Sequence, residues 1–179
     1  MLMKASGYLV AVSLISGLLV SSRVARADED NGIRPRLGLN LGGGIVVGDA
    51  TGGVVGGGIR GGVQLNNLVG LYVQTGANVL IATPQGSADT KAIVFVPFSG
   101  MISLSPVKQL ELAIGPSLDY YGGATTTSAS GGAAFGIAGR VSVHPFSRSG
   151  FAIGMDIHPL FIDGIAIVPI TFGLGFDFR

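Results

Sequence analysis

From Leu37 to Phe178 the chain alternates between apolar and small or polar residues with a period of two, the mark of strands whose two faces meet different surroundings. Eight segments follow this rule. In the first, Leu37, Leu39, Leu41, Ile45 and Val47 share a face, with Gly38, Asn40 and Gly42 opposite. The second sets Val55, Ile59, Val63 and Leu65 against Arg60 and Gln64, and the third Val69, Leu71, Val73 and Val79 against Tyr72, Gln74 and Asn78. The fourth, from Ala92 to Leu104, turns Val94, Val96, Phe98, Ile102 and Leu104 one way and Phe95 and Met101 the other. The fifth opposes Leu110, Leu112, Ile114 and Leu118 to Glu111, Ser117 and Asp119. The sixth opposes Phe135, Ile137, Val141 and Val143 to Arg140, Ser142 and His144. The seventh has Phe151, Ile153, Met155 and Ile157 against Asp156 and His158; the eighth has Ile170, Phe172, Leu174, Phe176 and Phe178 against Thr171, Gly173 and Asp177.

What precedes this pattern reads as an export signal. Lys4 supplies a positive start, Tyr8 to Val20 form a 13-residue apolar core, and Ala25-Arg26-Ala27 gives a small-x-small cleavage pattern, so residues 1–27 are expected to be removed. Residues 28–36 are then a short periplasmic N-terminal segment, and 37–179 form one domain. Cleavage takes away Lys4, Arg23 and Arg26, which leaves 8 basic against 10 acidic residues and nothing that suggests nucleic acid as a partner. With no cysteine, the exported chain has neither disulfides nor thiolate metal ligands.

Composition decides what the strands do. Only 12% of the residues are charged and 47% are hydrophobic, too little charge for the surface of a soluble domain. After the leader no segment offers the roughly 18 unbroken apolar residues of a spanning helix. A closed barrel is the remaining way to satisfy every backbone group in lipid. The expected fold is therefore all-β: an eight-stranded antiparallel up-and-down transmembrane β-barrel after a cleaved signal peptide. Short turns at Asn66-Asn67, Ser105 to Gln109 and Pro145 to Gly150 alternate with longer connections at Gly48 to Val54, Ala82 to Lys91 and Gly122 to Gly132, so the longer set is expected outside. Thr125 to Ser130 is the candidate contact surface for an outer ligand, and Asp163-Gly164 a tight hairpin.

Gly56, Gly58 and Gly61 match G-x-G-x-x-G, but the residues that follow alternate instead of opening a helix, and no acidic residue occurs between Asp49 and Asp89 to hold a ribose. These glycines read as hairpin flanks in a narrow barrel, and no cofactor is expected. The expected interior polar network is Arg60, Glu111, Asp119, Arg140, Asp156 and Asp177, with His144 and His158. If the turn after the sixth strand centres on Arg148, Arg140 lies opposite Asp156. Eight strands leave room for side chains and none for an open pore, so buried charge must be paired. His144 falls near the periplasmic end and His158 near the outer end, and neither G-x-S-x-G nor H-E-x-x-H occurs, so no catalytic or metal residues are assigned. Pro97, Pro116, Pro159 and Pro169 lie inside proposed strands; they mark bulges or early strand ends, or else lateral gaps.

The C-terminus carries the most specific signal. Thr171, Gly173, Phe176 and Phe178 in the run Thr171 to Phe178 resemble the terminal signature of outer-membrane barrels, with Arg179 as a departure from the usual aromatic end. Together with the leader and eight strands, the chain is similar to the small OmpA and OmpX type barrels of the Gram-negative cell envelope. That resemblance implies location in the cell outer membrane, contact with its lipid, and recognition of the last strand by the barrel assembly machinery. The expectation is a structural or surface-interaction barrel with a filled polar interior. The alternatives are a lipid A-modifying enzyme with lateral lipid access, as proline-interrupted pairings provide in lipid A acyltransferase barrels, and a narrow channel.

Overall fold

A computed structural model describes residues 33–86, 90–124, 129–146, 150–162 and 165–178. The signal peptide, Ala88, Thr125 to Ser128, Arg148, Asp163-Gly164 and Arg179 lie outside the described residues. Nine strands run in chain order: β1 (Arg34–Gly48), β2 (Ala50–Gln64), β3 (Val69–Pro84), β4 (Lys91–Val107), β5 (Leu110–Ala124), β6 (Ala129–Val143), β7 (Phe151–Ile157), β8 (Leu160–Ile162) and β9 (Ile165–Phe178). Each pairs antiparallel with its neighbour, and β9 returns to β1 to close the sheet. The strands β7 and β8 are two pieces of one stave, interrupted at His158-Pro159, so the wall has eight staves.

The register sets the barrel's dimensions. Partners followed from Gly38 through Arg60, Gln74, Ser99, Ser117, Gly136, Leu160 and Ile167 return to β1 at Gly48, ten residues further along. Ten residues of rise over eight strand spacings tilt the staves by about 40° and leave an interior that side chains can fill. Alternation then sorts the residues. Leu39, Leu41, Ile45, Val73, Ile114, Phe135, Ile137, Phe172 and Leu174 are exposed on the outer wall, whereas Arg36, Arg60, Ser103, Glu111, Asp119, Arg140 and Ser142 are buried inside.

Three expectations are corrected. First, β1 opens at Arg34, so Arg34 to Arg36, placed ahead of the barrel by the sequence, belong to its first strand and pair with Gly62 to Gln64. Second, the connections at the end away from the termini are short. Only Asp49 separates β1 from β2, β3 reaches Pro84, and β5 and β6 pair as far as Ala124 and Ala129. Glycine and small-residue runs carry no alternation, yet their backbones pair as well as any. The sharp reversal at Asp49 needs Gly48 in the left-handed region (φ 116°), where a side chain would be strained. It is held by the Asp49 carboxylate, which accepts the Ala166 N–H at 2.8 Å.

Third, Pro97, Pro116 and Pro169 lie inside strands and produce neither bulges nor strand ends, whereas at Pro159 the strand does end early, β7 closing at Ile157. The β3–β4 ladder skips two residues beside Pro97, between the pairs Thr75–Phe98 and Asn78–Phe95, and resumes in the same register. The β4–β5 ladder does the same beside Pro116, between Ser99–Ser117 and Ile102–Ile114. At Pro159 and Pro169 the His158 N–H donates to the Pro169 carbonyl at 3.0 Å, and pairing continues in register from β7 into β8. The one register shift among the described residues lies between Leu104 and Val107, at Pro106.

Candidate functional site in the barrel interior

The interior has two chemistries stacked along its axis. Towards the hairpin end of Asp49, Val46, Ala50, Val54, Leu80, Ala82, Phe95, Leu160 and Ile167 form a buried apolar cluster. From mid-barrel to the end that carries both termini, the inward side chains are largely polar and charged. Alternation produces both, because Val46, Val54 and Leu80 are the inward members of apolar doublets whose partners Val47, Val55 and Ile81 face out.

Three arginines organise the polar part. Arg36 on β1 reaches Glu111 on β5 at 2.5 Å, and its other terminal nitrogen donates to Gln64 and Ser103 at 3.2 and 3.1 Å. Arg60 on β2 grips Asp177 on β9 with two nitrogens, the Nε contact at 2.7 Å. Tyr72 lies between these cations, with guanidinium carbons 5.4 Å (Arg36) and 5.8 Å (Arg60) from its ring centre, so its π face offsets part of their desolvation. Arg140 on β6 donates to both Asp156 oxygens on β7, at 3.0 and 2.9 Å, and to Ser142 at 2.9 Å. Arg140 and Asp156 are opposite residues on adjacent strands, the register that a turn centred on Arg148 implies.

Gly38 makes the Arg60–Asp177 pair possible. It is the ladder partner of both residues, one on each side of β1, so the ion pair must pass over its Cα. A Cβ there would collide with the Asp177 carboxylate and the Arg60 stem. The pair thus ties β2 to β9 across the strand that closes the barrel.

Asp119 belongs to a separate cluster. Ser117 donates to its Oδ2 at 2.9 Å, and His158 Nε2 lies 2.9 Å from its Oδ1 and 3.0 Å from the Ser117 oxygen. Ser, His and Asp are together, but one imidazole nitrogen meets both partners, whereas a nucleophilic triad uses Nδ1 for the acid and Nε2 for the serine. Gly136 also lies against Ser117 and Asp119 so closely that an added Cβ would clash with both. The arrangement orients a buried carboxylate. His144 instead lies 3.6 Å from Asp177. Glu111, His144 and Asp177 place ligand atoms within 4.8 Å of one another, but both carboxylates already serve arginines, so a cation there would compete with Arg36 and Arg60.

The assigned interior residues therefore fall into separate groups: Glu111 with Arg36, Arg60 with Asp177, Arg140 with Asp156, and Asp119 with His158. Sequence reasoning missed Arg36, although its place one residue before Leu37 gives it inward parity, and it gave Tyr72 no part beyond facing inward. Of the terminal signature, Phe176 and Phe178 are exposed on the outer wall, whereas Thr171 and Gly173 are half-buried towards the interior. The glycines Gly56, Gly58 and Gly61 lie within β2, so no helix follows them to hold a phosphate.

Closed staves, a ten-residue climb and an apolar outer wall define the fold of the small eight-stranded outer-membrane barrels. The chain is similar to Ail, the attachment invasion locus protein of Yersinia pestis, over 84% of its own length and 100% of the other (12% identity, TM-score 0.53). It is similar also to Neisserial surface protein A, over 82% and 99% of the two chains (10% identity, TM-score 0.57), and to the N-terminal β-barrel domain of Pseudomonas aeruginosa OprF, over 84% and 100% (12% identity, TM-score 0.51). At these identities the likeness is one of fold. No family model matches the chain, and no curated protein sequence does.

Proposed function

We propose that the protein is an outer-membrane barrel that does not conduct and serves as a structural or surface-contact element. The observation that carries this is the content of the barrel: a buried apolar cluster at one level and arginine–carboxylate pairs at another. A hydrated ion would have to displace both. Charged groups that line a conducting path stand beside water, whereas Glu111 and Asp119 are 0 and 1% exposed.

The leader, the apolar wall and the fold together support the outer membrane as its location, with lipid against the wall. In that setting the end with both termini faces the periplasm and the Asp49 end faces outward. Phe176 and Phe178, exposed on the last strand, are then open to the assembly machinery. An Ail structure holds the heparin analogue sucrose octasulfate, but the outward rim here favours a different partner. The described residues of that rim offer the neutral hydroxyls of Thr51, Thr83 and Thr90 as contact chemistry. A lipid-modifying role depended on lateral gaps at the prolines, and ladders that resume in register on either side of each give it no support.

Planar bilayer recording tests the proposal. Purified protein is expected to insert without stepwise conductance, and Phe95→Gly combined with Leu160→Gly, which removes two large members of the apolar cluster, is expected to conduct more than the parent. Reproducible single-channel steps from the unmodified protein would overturn it.

A further inference from the structure

Midway along the barrel, close strand approach decides what the interior can hold. A Cβ on Gly42, Gly58, Gly76 or Gly173 would stand 2.5 to 2.7 Å from a carbonyl oxygen of a neighbouring strand, those of Phe172, Thr75, Gly57 and Leu41 in turn. Glycine is needed there so that the backbones can come together, and β1, β2, β3 and β9 therefore send no side chain inward from these positions. The space left is a cavity that offers about 40 Å³ to the centres of water molecules, with Asn40, Gln74, Asp156 and Thr171 in its polar lining. Phe95 of the apolar cluster borders it as well.

Two oxygens of that lining have nothing to accept from. Asn40 Oδ1 and Gln74 Oε1 are buried and meet no donor among the described residues. A Cβ on Gly58 would stand 3.3 Å from Asn40 Oδ1, so this oxygen projects into space that glycine leaves open. An acceptor buried without a partner loses its hydration and regains nothing, unless a donor reaches it. Asp156 gives both carboxylate oxygens to Arg140, at 3.0 and 2.9 Å. What the cavity offers freely is thus a pair of neutral amide oxygens, which call for donated hydrogens, and no uncommitted carboxylate to hold a cation.

We propose that the cavity is a water site, whose molecules donate to Asn40 Oδ1 and Gln74 Oε1 and link β1 and β3 to Asp156 on β7 and Thr171 on β9. Each water needs on the order of 10 to 15 Å³ of such space, so the site holds about three. Cavities that stay dry have apolar linings, whereas amides, a carboxylate and a hydroxyl converge on this one. The water joins strands that are not neighbours, as Arg36 does for β1 and β5 and Arg60 for β2 and β9. It replaces, at the glycine-lined level, the cross-lumen side-chain contacts made above and below.

High-resolution diffraction from crystals of the unmodified protein tests this, as grown, under xenon pressure and after soaking in rubidium chloride. The expected result is ordered water at hydrogen-bond distance from Asn40 Oδ1 and Gln74 Oε1, with neither xenon nor rubidium in the cavity. Xenon there would show a dry cavity, a rubidium peak an ion site, and featureless density an interior without fixed water; each would overturn the proposal. In detergent solution, nuclear magnetisation is expected to pass from water to the amide protons of Gly58 and Gly76. That transfer is expected to fall in Asn40→Leu, which keeps a side chain of similar size and removes one acceptor. Equal transfer in the two proteins would place the water elsewhere and would also overturn the proposal.

Discussion

Arg36→Ala is expected to destabilise the barrel by about 3 to 5 kcal/mol, because it leaves the carboxylate of Glu111, 0% exposed, without its guanidinium. The same change removes the donors to Gln64 and Ser103 and half of the cation pair around Tyr72. Replacing both ends, Arg36→Met with Glu111→Leu, is expected to cost far less, since the desolvation penalty disappears with the attraction. Arg140→Ala gives a graded comparison. Asp156 remains 23% exposed and borders the central cavity, so water can take up part of the loss and the destabilisation should be smaller than for Arg36→Ala. Urea midpoints of the three variants and the parent check the order. Equal midpoints for Arg36→Ala and the parent would place Arg36 outside the interior.

Gly38→Val should be nearly as damaging, at about 2 to 4 kcal/mol, though it removes no interaction directly. Its side chain would occupy the space through which Arg60 reaches Asp177, forcing apart a buried pair that ties β2 to β9. Gly61 is the control. It lies on the same sheet, an added Cβ there meets nothing within 4 Å, and Gly61→Ala should be neutral or stabilising by up to about 1 kcal/mol as the unfolded chain loses freedom. The contrast between two glycines of similar surroundings in sequence separates a specific steric role from general loss of glycine. Heat-modifiable migration on gels, read as a function of temperature, measures both.

Alternation and turn symmetry made much of this legible. Period two alone separates Leu39 and Leu41 from Arg60, Glu111 and Asp177, and a turn centred on Arg148 is enough to put Arg140 opposite Asp156. Strand ends were not legible at Gly48, Gly52 and Gly53 or at Gly122 and Gly123, because a glycine run has no sidedness to read and its backbone pairing depends on partners far along the chain. The apolar cluster was hidden for a related reason. In Val46-Val47, Val54-Val55 and Leu80-Ile81 both residues suit lipid, and only the register shows which one turns inward. Gly38 illustrates the limit most clearly: its importance comes from having Arg60 on one side and Asp177 on the other, and that requires both of the ladders β1 makes.

All of these assignments depend on closure of the sheet between β1 and β9. The chain has no cysteine, so a disulfide can report that seam without interference. Leu39 and Phe176 are ladder partners across it and both are exposed on the outer wall. Leu39→Cys with Phe176→Cys in refolded protein is expected to cross-link efficiently under mild oxidation, and Leu39→Cys with Phe172→Cys, four residues out of register, is not. Failure of the first pair, or equal cross-linking of both, would contradict the closed barrel.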